Sequence, residues 1–106
     1  MAKYLFRANY LGDGLKGLMK EGGTSRREAA SAAMSSVGGT LDCFYYAFGD
    51  TDALGIVDMP DEASAVAVSL LINASGAVEL SLTPLIEPEV LDEAAKKNPS
   101  YRQPGA

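Results

Sequence analysis

The chain has 106 residues, 47% of them apolar, which suits one domain with a modest core and leaves no room for a second. Fourteen acidic against nine basic residues give a formal charge of −5, a field that repels nucleic acid and other polyanions. With no histidine and one cysteine, the usual neutral-pH base, a zinc cluster and an internal disulfide all drop out.

The N-terminal stretch is charged and polar-interrupted, and the longest apolar run, 63–74, is broken by Ser69 and Asn73. A cytoplasmic protein without a membrane partner is therefore expected. Residues 3–10 alternate as a strand, with Tyr4, Phe6, Ala8 and Tyr10 on one face and Leu5, Arg7 and Asn9 on the other. Gly12, Asp13 and Gly14 break it, and Leu15, Leu18 and Met19 open a helical stripe that pauses at 21–23. Ser25 and Glu28 have capping-box spacing, and Ala29, Ala30, Ala33, Met34 and Val37 continue at helical period to Gly38-Gly39.

Period two returns over 40–48: Phe44, Tyr46 and Phe48 share one face, and Leu41, Cys43, Tyr45 and Ala47 the other. Turn chemistry at 49–52 joins this strand to the apolar run 53–57, which predicts a hairpin. Pro60-Asp61 starts a helix with Ala63, Val66, Ala67, Leu70, Leu71 and Ala74 as its stripe, and Val68 and Ile72 form a second one. Val78, Leu80 and Leu82 alternate with Glu79, Ser81 and Thr83 in a last strand closed by Pro84. Pro88 then fits the first turn of a short helix carrying Val90, Leu91 and Ala94, which is expected to cover the second stripe, and a polar tail follows.

The order strand, helix, strand, strand, helix, strand is that of an α+β, ferredoxin-like βαββαβ fold, with both helices on one face of a four-stranded antiparallel sheet and an extra C-terminal helix. The domain is placed at 1–86 and the terminal helix and tail at 87–106. The open face mixes Tyr, Cys and Leu with Arg, Asn, Ser and Thr, and a second copy of the chain is the simplest cover for it. A homodimer through that face is expected.

Tyr4, Asn9-Tyr10, Gly14, Gly38-Gly39, Tyr45, the 49–52 turn, Pro60-Asp61 and Gly76 follow one another in an order and spacing that resembles the GYD-domain family. The resemblance implies a dimeric α+β barrel and little chemistry. The chain departs from it at Thr51, where the family's tyrosine is expected, and at Ala47, where a threonine is expected.

Two short motifs have simpler readings. Gly12, Gly14 and Gly17 spell G-x-G-x-x-G, but the next strand alternates and ends in Ala47-Phe48, without the acid a dinucleotide site needs. Asp50, Asp52, Gly55 and Asp61 sit at calcium-loop positions, but Leu54 occupies a ligand position and Pro60-Asp61 replaces the closing glutamate. Neither a metal nor another cofactor is expected.

If the more polar strand faces are the open ones, Arg7, Asn9, Ser81 and Thr83 converge with Tyr45 and Leu5 on an apolar cavity holding a few directional groups, as small-molecule pockets do. By fold-level analogy with barrels that include monooxygenases, isomerases and lyases, one expectation is a cofactor-independent enzyme acting on a small oxygenated organic molecule. Tyr45 would orient or protonate a substrate oxygen, Arg7 would stabilise negative charge and Asp52 would be the base, with Asn9, Cys43, Thr51, Ser81 and Thr83 lining the site. Each has a plainer reading: Asp52 bonding local backbone, Cys43 packing, Tyr45 packing with a satisfied hydroxyl, and Arg7 paired with Glu79 or Asp42. The alternative function is a non-catalytic dimer that binds a metabolite or a protein partner.

Overall fold

A computed structural model describes residues 2–106. The chain runs β1 (Ala2–Tyr10), α1 (Gly12–Glu21), α2 (Gly23–Ser35), β2 (Thr40–Tyr46), β3 (Ala53–Met59), α3 (Glu62–Ala74), β4 (Val78–Pro84) and α4 (Pro88–Ala95). The four strands form one sheet in the order β2-β3-β1-β4, and every neighbouring pair is antiparallel. This is the α+β, ferredoxin-like arrangement expected from the sequence: the first and third strands lie at the centre, and the helical connections cross one face.

Alternation decides what that face buries. Tyr4, Phe6 and Ala8 of β1, Ala53, Val57 and Met59 of β3 and Leu80 of β4 point toward the helices and are buried with Met34, Ala65 and Val68. The Phe44 ring lies 5.4 Å from Phe6 and 5.0 Å from Tyr46, a tilted and an edge-on pair that carry the core to the β2 edge.

Four local expectations are corrected. The first concerns β2, where Leu41 stands opposite Val57 but Cys43 stands opposite Ile56, so Asp42 is the extra residue of a β-bulge. The bulge flips Leu41 to the helix side, where it packs on the core, while Cys43 and Tyr45 keep the open face. Phe48 lies beyond the end of the strand, fully exposed in the turn.

The second concerns the start of α2. Gly22, at φ 91°, is both the last cap of α1 and the N-cap of α2, and no side chain caps the latter. A glycine in this conformation lets the second helix restart at once, so Ser25 and Glu28 fall inside it and form no capping box.

The third concerns α3. Asp61 caps it as the proline-aspartate pair predicts, its carboxylate accepting from the Ser64 N–H at 2.7 Å. The buried stripe, however, is Ala65 and Val68 with Ile72 beside them, while Val66, Leu70 and Leu71 are exposed. The stripe predicted as secondary is the one that faces the sheet.

The fourth concerns α4, which makes no extensive contact with any other element and covers nothing. It starts at Pro88 as predicted but projects outward with Val90 and Leu91 exposed. The Cα radius of gyration is accordingly 17.0 Å, against the roughly 13 Å of a compact domain of this length.

Candidate functional site

Strand register assembles the open face in rows. Tyr45, Leu54, Arg7 and Ser81 form one row across the sheet, and Cys43, Ile56, Leu5 and Thr83 form the next. Tyr45 and Arg7 are two strands apart, about 10 Å at ordinary strand spacing, so one small molecule lying over Leu54 could reach both. Leu5, Cys43, Leu54 and Ile56 are half-buried, Tyr45 is 65% exposed, and Arg7 forms no ion pair among the described residues. The partners considered for Arg7 are engaged elsewhere or apart from it: Asp42 bonds Lys3 at 2.5 Å, and Glu79 stands opposite Asn9.

The bulge has an electrostatic consequence at this end of the face. It brings Asp42 to Lys3, which also lies 3.4 Å from Asp58, and the Asp42 carboxylate above all holds the Lys3 ammonium above the ordinary lysine range. Among the described residues, Asp58 Oδ1 is buried without a hydrogen-bond partner.

The remaining predicted residues gather at the β2–β3 turn instead. The Tyr10 N–H donates to Asp52 Oδ2 at 2.9 Å, and the Asp52 N–H donates to Asn9 Oδ1 at 2.9 Å. These bonds fasten the turn to β1, with Thr51 half-buried beside them. Asp52 lines a groove of about 420 Å³ with Leu15, Leu18, Tyr46 and Phe48, away from the Tyr45–Arg7 row. Thus Arg7, Cys43, Tyr45, Ser81 and Thr83 come together, whereas Asn9, Thr51 and Asp52 form a separate structural tie. Among the described residues no group of three acidic or cysteine side chains could hold a metal ion.

The family model of the GYD domain matches residues 4–95, most of the chain. The chain belongs to the GYD domain family. No curated protein and no solved structure matches it. No helix of this GYD domain, among the described residues, is long and apolar enough to cross a membrane.

The helix side of the GYD domain holds a space that sequence reasoning missed. A cavity of about 110 Å³ lies between α2 and the inner sheet face, lined by Ala30 and Ala33 above and by Ala8, Ala53 and Phe6 below. Tyr10 and Arg26 line it as well, and they also line an adjoining groove of about 250 Å³ beside α1. Arg26 lies 3.5 Å from Glu21. Tyr46 donates its hydroxyl to the Gly23 carbonyl at 2.9 Å, and burial, then the Tyr10 hydroxyl beside it, push its phenol up to about 12. The sequence signal was the run of alanines on α2, which period alone marks as core; that they lie over the facing pair Ala8 and Ala53 follows only from register.

Proposed function

We propose that this GYD domain works in the cytoplasm as a homodimer joined through its open sheet faces, and that it binds a small, partly apolar, oxygenated organic molecule between them. The observation that carries this reading is the Tyr45–Leu54–Arg7–Ser81 row, an apolar centre flanked by directional polar groups on a face its own helices leave bare.

Binding is favoured over turnover. Asp52, the base considered for an enzyme, is tied to the Tyr10 N–H and lies off the row, which leaves Tyr45 and Arg7 as recognition groups without a neighbouring base. Tyr45 then donates to, and Arg7 grips, an oxygen of the ligand, with Ser81, Thr83 and Cys43 shaping the wall.

Sedimentation and native mass spectrometry test the reading. The wild-type protein should sediment as a dimer at micromolar concentration, and Leu54→Glu, which sets a charge at the centre of the face, should give a folded monomer. Protein from its own host should retain a small-molecule mass that Arg7→Gln with Tyr45→Phe loses. A stable wild-type monomer would overturn the proposal.

A further inference from the structure

We infer that the cavity beneath α2 is a second binding site, for a ring-sized apolar ligand that carries one neutral oxygen. The sheet separates it from the open face, so it stands or falls independently of the reading above.

Interiors are normally packed to crystal density, and a chain with larger residues to hand could have filled this space. It remains open because α2 leans on β2 and α3 on β4 and β3, while small side chains meet between them: Ala30 and Ala33 from the helix, Ala8 and Ala53 from the two central strands. Apolar cavities of about 150 Å³ stay dry and take up benzene. The 110 Å³ here is smaller, but it shares Tyr10, Arg26 and Val78 with the neighbouring groove of about 250 Å³, so a phenol-sized ligand would seat its ring against the alanines and its oxygen at that shared rim.

The mouth selects the head group. Arg26 is already matched by Glu21, and Asp13 lines the groove beyond. Asp13 is exposed and lies beside Lys16, so the charges that count at the mouth are Arg26 and Glu21: a carboxylate entering here would compete with Glu21 for Arg26, and an ammonium would face Arg26. A hydroxyl or carbonyl avoids both penalties: it accepts from the guanidinium, and a hydroxyl can also donate to Glu21.

Fluorine NMR with 4-fluorophenol and 4-fluorobenzoate tests this directly. The expected result is saturable binding of the phenol to the wild-type protein, at least tenfold tighter than the benzoate. Ala30→Leu should abolish it and raise the unfolding temperature by filling the space; Ala33→Val, a smaller change, guards against misfolding, which circular dichroism checks. Leu71→Ser, on the exposed side of α3 and away from both sites, should leave binding unchanged. Failure of the phenol to bind the wild-type protein, survival of binding in a folded filled variant, loss of binding in Leu71→Ser, or a preference for the benzoate would each overturn the assignment.

Discussion

A Cβ on Gly14 would run into the Ala77 carbonyl, the same group that accepts from the Leu11 N–H at 2.9 Å, whereas Gly12 and Gly17 face open space. Only the middle glycine of the G-x-G-x-x-G pattern is therefore obligatory, and it serves close backbone approach, with no ligand involved. Gly14→Ala should cost about 3 kcal/mol or more, since backbone must move, while Gly17→Ala should stabilise by about 0.5–1 kcal/mol in the helix interior. Urea denaturation of the two variants reads both.

Two ionisations should mark the ends of the pH–stability profile. Hydrogen bonds from Ser64 hold the Asp61 carboxyl below its ordinary value, so its contribution is present above that value and is lost as pH falls through the folded one. Asp61→Asn should flatten that acid limb in thermal melts. The raised Tyr46 phenol works in the opposite sense: its contribution is complete below about 10 and disappears as pH rises toward about 12. Ultraviolet titration should show a late-titrating tyrosine that Tyr46→Phe removes.

Among the elements, strands and their alternation were legible because a period of two with aromatic and β-branched residues has few competing readings. The faces of two elements were not. In β2 the bulge at Asp42 breaks the period, and nothing short of the β3 register reveals that Leu41 and Cys43 lie on opposite sides. In α3 the apolar residues surround the helix, so periodicity could not choose between the Val66–Leu70 side and the Val68–Ile72 side. Packing on β4 and β3 made the choice. Val68→Ala should therefore cost about 2 kcal/mol in unfolding free energy, and Leu71→Ser almost nothing, a contrast the predicted stripe would reverse. In the candidate site, Arg7, Cys43, Tyr45, Ser81 and Thr83 could be grouped by strand parity alone. The separation of Asp52 and Asn9 depended on hydrogen bonds across more than forty positions of chain, which no local pattern encodes.

For the whole molecule, the outward course of α4 sets a simple expectation. A chain ending at Glu87 keeps the Leu85 N–H bond to the Lys3 carbonyl and loses only a helix that makes no extensive contact with another element and the exposed tail after it, so its unfolding midpoint as a monomer should match the full chain. Differential scanning calorimetry of the truncated protein in the Leu54→Glu background checks this, and a large drop would show that α4 is anchored.

The strand order carries a consequence for synthesis. Of the four strands β1 is made first and lies centrally in the sheet, and the strand that completes its second edge, β4, is made last of the four. Until residue 84 has left the exit tunnel, β1 can pair on one side only, and its other row of amides stays open to solvent and to neighbouring nascent chains. Growth of the chain, and not diffusion along it, then times the closing step, and refolding from denaturant, where both strands are present at once, should follow a different course from folding during translation.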